Sequence, residues 1–389
     1  MLKENESPSN TLYLVVMENT FKNNIHANQI YPVLNANPKM HALFINPLFE
    51  ASRSRIGLVK GRQKIDHAKV CYSPFPTYFF FSQWFVLPFV ILWSCVPLLY
   101  LCVKNKIAVI HARNLMSGIC AVLVSKICNV SVVMDMRGVH PDEGVIIGRW
   151  KYGGYSYRIH KRLEAWVLKA ATSVACISPN LCRYVSDVAP SVRPIFVPAM
   201  VSPESFYFSA ALRKEARNQL SIKDNDVCLI YTGSLGSWHR ISELKKQISD
   251  ERNLVVGKKL VVIILSNADP DVIKSELDLD ISIPIIVRNV PPVEVNYYLN
   301  AADIGLLPGK KIENESDRIV FDVMISSKAE EYLSTGLDIR ANPAIPFFFD
   351  DEYYRSDFKS RDETAIFYQS KFSNASVIEK IRGLHANAR

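Results

Sequence analysis

The segment ISSKAEEYLSTG, residues 325–336, is the starting point for predicting the fold of this chain. Lys328 and Glu331 are three residues apart, so they share one face near the start of a predicted amphipathic helix that ends at Gly336. A helix N-terminus favours an anion, and a Lys beside it adds charge for a phosphate. A Glu one turn later can accept two hydrogen bonds from a sugar diol. Taken alone, the pair is more typical of a surface salt bridge, so the rest of the chain must decide.

The composition predicts a folded protein that binds anions. The 389 residues are enough for two domains, and 49% of them are hydrophobic. Lys and Arg exceed Asp and Glu by 46 − 38 = 8. This excess fits nucleotides, phospholipid headgroups or acidic glycans. Nucleic acid is not predicted as a partner, because the sequence has no basic stripe interleaved with aromatic residues and no zinc-finger or RNA-binding signature.

The cysteines and the first residues predict a cytoplasmic location. None of the eight Cys forms a C-x-x-C motif and most lie in apolar runs, which favours buried free thiols in a reducing compartment. The opening MLKENESPSN lacks the apolar core of a secretory signal.

Apolar, β-rich runs alternate with amphipathic segments in both halves, which predicts an α/β fold with doubly wound parallel sheets. The polar residues that follow position 200 predict a linker. We therefore expect an N-terminal domain over 1–200, a linker over 201–226 and a C-terminal domain over 227–389. The predicted strands are 11–17, 41–46, 70–72, 108–113, 130–136, 172–177, 193–200, 228–232, 259–265, 283–290, 303–308 and 344–348.

The apolar segment 77–103 admits three interpretations, since no charged residue lies between Lys69 and Lys104. A helix in the bilayer interface would use Phe79–Phe81, Trp84 and Trp93 as anchors. A buried crossover helix is the second interpretation. A spanning helix is the third and least favoured, because it would separate two halves of one sheet and contains two Pro. The first interpretation predicts a membrane surface as a partner.

Polar side chains follow two predicted strands of the first half. His111 and Arg113 end one strand, and Arg137, Asp142 and Glu143 follow the next. Ligands of open α/β sheets bind at the carboxyl ends of the strands, so these residues predict a cleft. The alternative is an ion pair between Arg137 and Asp142 that orders the loop.

A strand-to-helix turn opens the second half. Gly233, Ser234 and Gly236 would let backbone N–H groups approach a phosphate closely, with Arg240 just beyond them. The turn matches neither the Walker pattern nor G-x-G-x-x-G, and a simple tight turn is the alternative. Asp278-Leu-Asp280, which mimics a metal-binding D-x-D, is interpreted as a solvated turn.

Six segments in order make the chain resemble the retaining GT-B glycosyltransferases, specifically glycosyltransferase family 4. They are VIHARN, MDMRGVHPDE, SVACISPNL, LIYTGSLGSW, LNAADIGLLP and SSKAEEYLSTG, and the resemblance covers roughly residues 12–339. It implies two Rossmann-like domains that face each other across a cleft. It also implies a nucleotide-sugar donor, retention at the anomeric carbon and no metal or other cofactor.

The resemblance also implies roles for matched residues. Glu331 would hold the donor ribose, Lys328 would lie on the donor side, and the turn from Gly233 to Gly236, with Ser234 and Arg240, would bind the diphosphate. The acceptor-side catalytic candidates are His111, Arg137, Asp142 and Glu143.

Three positions depart from the family pattern. Val323 stands where the first Glu of the family's E-x7-E signature is expected, Asp338 replaces a Pro, and Glu18–Asn24 replaces a Gly-rich loop. The prediction is a hexosyl-type glycosyltransferase on the inner face of the cell membrane that acts on a glycan or lipid-linked acceptor in surface polysaccharide synthesis. The alternative is a non-catalytic GT-B module that binds a glycan or partner at the membrane. A nucleotide-sugar epimerase of the same fold is a third, weaker interpretation.

Overall fold

The computed structural model describes residues 10–18, 28–47, 69–75, 83–235, 240–255, 257–280, 282–341 and 357–388. The chain divides into two compact units, of which the first comprises Met1–Pro198 with Val377–Arg389 and the second Ala199–Ser376. The predicted strand at 344–348, the anchors Phe79–Phe81, the side chain of Trp84 and most of the loop Glu18–Asn24 lie outside the described residues.

The first unit contains a parallel sheet in the order β3-β2-β1-β4-β5-β6-β7. Every residue of β1 is buried, as expected for a strand covered on both faces. The strand order reverses between β1 and β4, and such a switch point is where doubly wound sheets bind ligands. The strands are β1 (Thr11–Val16), β2 (His41–Pro47), β3 (Lys69–Phe75), β4 (Val109–Arg113), β5 (Ser131–Met136), β6 (Ser173–Cys176) and β7 (Pro194–Phe196).

Helices connect these strands. The predicted N-cap at Ser178 is confirmed, because its hydroxyl oxygen accepts a 2.9 Å hydrogen bond from the Leu181 N–H. The helices are α1 (Tyr31–Asn35), α2 (Gln83–Lys104), α3 (Asn114–Cys128), α4 (His140–Ile146), α5 (Tyr155–Ala170) and α6 (Pro179–Val188).

The second unit contains a smaller parallel sheet in the order β10-β9-β8-β11-β12, with its switch point between β8 and β11. Its strands are β8 (Val227–Thr232), β9 (Leu260–Leu265), β10 (Ile285–Arg288), β11 (Ile304–Leu307) and β12 (Asp338–Ala341). Its helices are α7 (Ala210–Gln219), α8 (Ile241–Leu254), α9 (Pro270–Leu277), α10 (Val295–Ala301), α11 (Glu315–Val323), α12 (Ser327–Ser334) and α13 (Arg361–Phe372).

The domain limits differ from the prediction at both ends of the second unit. The proposed linker 201–226 contains α7, which packs against α10 and belongs to the second unit. The last helix, α14 (Asn374–Asn387), returns to the first unit from Val377 onward. There Arg382 donates a 2.6 Å hydrogen bond to the Ala36 carbonyl. Contacts between segments that are distant in the chain determine these limits. The polar composition from which the linker was predicted does not reveal such contacts.

The apolar segment forms α2, which packs against α3 and β3 on one side. The strands that precede and follow it, β3 and β4, lie in the same parallel sheet. The spanning interpretation is therefore wrong for this fold, because it would place two strands of one sheet on opposite sides of a bilayer. Helix α2 is long and apolar enough for a membrane span by length and composition, and 28% of its apolar window is buried within the protein. It connects β3 to β4 of the same sheet.

Candidate functional site

The Lys328 side chain lies against the carboxyl end of β8. Its Nζ is 5.1 Å from the centre of the Tyr231 ring. A Cβ atom on Gly233 would lie 2.5 Å from Lys328 Cε and 3.0 Å from Nζ, so a larger residue would displace the end of the lysine side chain from this position. Gly233 also has a φ of +117°, which favours glycine. Burial lowers the pKa of Lys328 to about 8, although Glu331 opposes this shift.

Glu331 follows one turn later on the same helix. Burial raises the pKa of its carboxyl group to about 7, although the Lys328 charge opposes the shift. Within the described ranges, no protein donor forms a hydrogen bond to this carboxylate. The pair therefore combines a half-buried cation with a carboxylate that is available to accept hydrogen bonds from a ligand.

Helix α12 is held in this position by Tyr332. The Tyr332 hydroxyl oxygen accepts a 3.0 Å hydrogen bond from the Thr232 N–H at the end of β8. The Tyr332 ring covers Gly305 of β11, where a Cβ atom would lie 2.2 Å from ring atom Cδ2. Sequence reasoning missed this contact, since Tyr332 and Thr232 are 100 positions apart.

Substituting Gly305 with alanine should therefore displace α12. We expect a loss of about 1–3 kcal/mol in the free energy of unfolding, typical of overpacking, and weaker nucleotide binding. The matched control is Gly383→Ala, where no atom lies within 4 Å of the added Cβ. That change lies inside a helix and should stabilise the protein by about 0.5–1 kcal/mol. Urea unfolding measures both changes, and equal stabilities for the two variants would contradict the packing argument.

The predicted phosphate turn is only partly realised in the described residues. The Gly233 N–H donates a 2.8 Å hydrogen bond to the Leu265 carbonyl, and the Ser234 carbonyl accepts one of 2.7 Å from the Tyr231 hydroxyl. The Gly233 amide is thus engaged in the sheet, and this glycine serves to admit Lys328. Gly236 lies outside the described residues.

Arg240 lies at the start of α8, where its side chain is half exposed. Its Nη1 atom is 3.7 Å from Glu313 Oε1 in the loop that follows β11. Lys310 of the same loop forms a buried ion pair with α11 that sequence reasoning missed, in which its Nζ lies 3.0 Å from Asp317 Oδ2. Asn314 was the residue from which the start of α11 could have been predicted, because Asn is a common N-cap. Its side-chain oxygen accepts a hydrogen bond from the Asp317 N–H.

Two departures from the family pattern have structural explanations. Val323 is the last residue of α11 and is buried, so an apolar side chain suits its position. Asp338 begins β12 and is exposed. At the predicted D-x-D, Asp278 lies 3.3 Å from Lys245 Nζ, and Asp280 accepts a hydrogen bond from the Ser282 N–H.

In the first unit, polar residues gather around Asp135 at the end of β5. Its carboxylate lies 2.7 Å from Arg137 Nε, 3.3 Å from Arg113 Nη1 and 3.3 Å from the Tyr13 hydroxyl. Burial by itself would raise the pKa of Asp135, but Arg137, His111 and Arg113 hold it well below its usual range. Asp135 was within a quoted motif but was not predicted as a site residue.

His111 is buried in this cluster. Its Nδ1 atom lies 2.8 Å from His385 Nε2, and its ring stacks on Tyr13 with the centroids 4.6 Å apart. The side chain is 1% exposed, so His111 joins α14 to the sheet and does not face solvent.

Asp142 is also buried, at the start of α4. It accepts a 2.9 Å hydrogen bond from the Tyr157 hydroxyl, and its other oxygen is 2.6 Å from Lys161 Nζ. Both partners belong to α5, so Asp142 ties α4 to α5. The alternative interpretation paired Arg137 with Asp142. In the structure Arg137 instead forms an ion pair with Asp135, and Asp142 forms one with Lys161.

Glu143 and Arg137 are the more accessible acceptor-side candidates. The Glu143 carboxylate lies over Gly138, where a Cβ atom would be 1.9 Å from Oε1. Burial, with Glu164, Glu18 and Asp142, raises the pKa of Glu143 to about 7. At the switch point, Glu18 accepts hydrogen bonds from Arg113 and Asn114. The carboxyl edge of this sheet therefore carries a titratable carboxylate, and the Arg149 charge opposes the rise in its pKa.

His140 is a further residue of this edge that sequence reasoning missed. Burial, with His160 and Arg149, lowers its pKa to about 4, so its imidazole is neutral at pH 7. A neutral imidazole can accept or donate a proton at a ligand hydroxyl. The available signal was its position just after Asp135-Met-Arg137-Gly138.

Comparison with known proteins identifies the fold. No model of a known protein family and no curated protein matches the sequence. Among solved structures, sucrose-phosphate synthase from Thermosynechococcus elongatus superposes with a TM-score of 0.64 at 13% identity, over 97% of this chain and 98% of that one. HepE of Anabaena, in complex with UDP, gives 0.61 at 9% identity over 97% and 99%. A glycosyltransferase from Rickettsia africae gives 0.58 at 12% over 97% and 98%. The chain thus has the GT-B glycosyltransferase fold of two Rossmann-like domains.

Proposed function

We propose that the protein is a retaining, hexosyl-type glycosyltransferase that moves a sugar from a nucleotide-sugar to a glycan or lipid-linked acceptor. The observation that carries this proposal is the placement of Lys328 against Gly233 with Glu331 one turn later. This arrangement offers a cation for a diphosphate and a carboxylate for a ribose diol. HepE, which shares the fold, was solved with UDP.

In the proposed reaction the protein acts mainly by electrostatics. The Lys328 ammonium and the N-terminal dipole of α12 stabilise charge on the departing diphosphate, and Arg240 can add to it. The leaving phosphate helps to deprotonate the acceptor hydroxyl on the same face of the sugar, so the anomeric configuration is retained. Glu143, Arg137 and His140 orient the acceptor in this scheme. No metal takes part in the proposed mechanism.

We further propose a role in surface polysaccharide synthesis, with the protein cytoplasmic and peripheral on the inner face of the cell membrane. The test incubates the purified protein and a membrane extract with a panel of radiolabelled nucleotide-sugars. Transfer of label to lipid or glycan, with an anomeric configuration that matches the donor by NMR, is expected. Inverted product would exclude retention, and no transfer from any donor would favour the alternative.

The alternative is a non-catalytic GT-B module that binds a glycan or partner. Val323 and Asp338 favour it, because Val323 stands where the first Glu of the E-x7-E signature is expected and Asp338 where a Pro is expected. Such a module predicts no stabilisation by nucleoside diphosphates.

Binding of a nucleoside diphosphate should depend on pH in a bell-shaped manner. Below about pH 7 Glu331 becomes protonated and loses an acceptor, and above about pH 8 Lys328 loses its charge. Affinity should therefore be highest between these values and fall on both sides. Isothermal titration calorimetry with UDP between about pH 6 and about pH 9 measures this. In Lys328→Met, titrated at ligand concentrations high enough to measure its weakened binding, the alkaline limb should vanish, and an unchanged limb would assign it to another group.

A further inference from the structure

The outer face of α2 carries a continuous stripe of exposed apolar side chains. They recur at intervals of one to four residues along one face and extend over about 21 Å of helix. Exposed fractions reach 68% at Leu92 and 70% at Val96. The stripe consists of Phe89, Leu92, Trp93, Val96, Tyr100 and Val103. Isolated exposed apolar residues are ordinary, but a stripe of six on one helix marks an interaction surface.

The opposite face of α2 is fixed in the core of the first unit. Val90, Ser94 and Leu98 are at most 2% exposed, and the helix packs against α3 and β3. The stripe therefore has a fixed orientation and cannot turn inward without breaking the core. Two of its three aromatic members, Trp93 and Tyr100, carry a polar N–H or O–H group on an apolar ring, so they suit a boundary between an apolar phase and water.

The charges around the stripe point to an anionic partner. Between Asp66 and Asp135 the sequence contains no Asp or Glu. Exposed lysines lie at the end of α2 and on its neighbour α3, at Lys104, Lys106 and Lys126. Lys104 Nζ is 3.1 Å from the Tyr100 hydroxyl, which places a cation beside the stripe itself. An apolar stripe with cations at its end has the composition of an interfacial helix on anionic lipid.

We propose that the α2 stripe is a docking surface for an anionic lipid bilayer, with α2 lying in the plane of the interface. The apolar side chains enter the headgroup–acyl boundary, and the lysines contact lipid phosphates. This extends the membrane location proposed above by assigning the surface that carries it. It does not require transfer activity, because lipid binding and nucleotide binding use different residues.

The test is co-sedimentation of the full chain with vesicles of phosphatidylcholine alone or mixed with phosphatidylglycerol. Binding to the mixed vesicles should exceed binding to neutral ones and should fall with added salt. Leu92→Gln/Val96→Gln should weaken binding to the mixed vesicles by at least about tenfold, since two exposed aliphatic side chains lose their transfer into the bilayer. The matched control is Val293→Gln/Ile366→Gln, which alters exposed apolar residues of the second unit and should bind like wild type.

Three results would overturn the proposal. The first is that the wild-type chain does not bind vesicles, and the second is that both double variants lose vesicle binding equally. The third is that the wild type is a dimer which Leu92→Gln/Val96→Gln converts to a monomer without changing vesicle binding. The last result would make the stripe an interface between copies of the chain. The melting-temperature shift with UDP, measured on the same samples, reports separately on the proposed transferase site and verifies the fold of each variant.

Discussion

Replacing Lys328 with methionine should lower kcat/KM for sugar transfer by about 10²–10³-fold, the usual cost of removing one group that stabilises charge in a transition state. Methionine keeps the volume of the side chain beside Gly233 but removes its charge. Because burial already disfavours the charged lysine, the variant should be at least as stable as wild type. The expected signature is thus lost function with retained or increased stability.

Initial-rate kinetics with the active donor and thermal unfolding together measure this signature. Lys274→Met is the matched control, because Lys274 is exposed on α9 of the same unit and should behave like wild type in both assays. If Lys328→Met transferred sugar at the wild-type rate, the donor site would lie elsewhere. If it instead failed to fold, Lys328 would have a structural role.

Replacing Asp135 with alanine should cost about 3–5 kcal/mol of unfolding free energy, the range for removing one partner of a buried ion pair. Asp135 is 1% exposed and lies between the guanidinium groups of Arg113 and Arg137. Its loss would leave these two cations without their shared carboxylate. Arg113 would keep Glu18 and Gln29, whereas Arg137 would lose the one ion pair found for it in the described residues.

Urea unfolding measures this effect, with Asp187→Ala on the exposed face of α6 as the control. The pKa of Asp135 is depressed in the folded protein, so its stabilising effect is complete above the unfolded value of about 4 and declines below it. The difference between wild type and Asp135→Ala should therefore shrink as pH falls below about 4. A difference that persisted unchanged in acid, or a loss equal to that of Asp187→Ala, would contradict the role of the cluster.

The parallel sheets could be predicted from sequence because each central strand is a short, continuous apolar run. β1, β4, β8 and β9 lie close to their predicted positions. Lys328 and Glu331 could be predicted because their spacing places both near one helix start. The predicted roles of His111 and Asp142 depended on sequence position alone, and the structure places both side chains in buried hydrogen-bonded clusters.

What the sequence did not reveal depends on pairs that are far apart in the chain. Two such pairs are Tyr332 with Thr232 and His385 with His111. The return of α14 to the first unit depends on contacts of the same long-range kind. A local pattern reports which face of an element is apolar, but it does not report which distant residue completes the packing. The composition of the turn predicted that its backbone N–H groups, including that of Gly233, would contact a phosphate. In the structure the Gly233 N–H instead donates a hydrogen bond to the Leu265 carbonyl within the sheet.

The most direct test of α12 as the donor site is calorimetric titration of the wild-type chain with UDP, GDP and other nucleoside diphosphates. At least one diphosphate should bind at micromolar concentration and raise the melting temperature, and Lys328→Met and Glu331→Gln should each greatly weaken that binding. Lys274→Met should bind like wild type. Absence of binding by every diphosphate, or binding that both site variants retain, would contradict the assignment of α12 as the donor site.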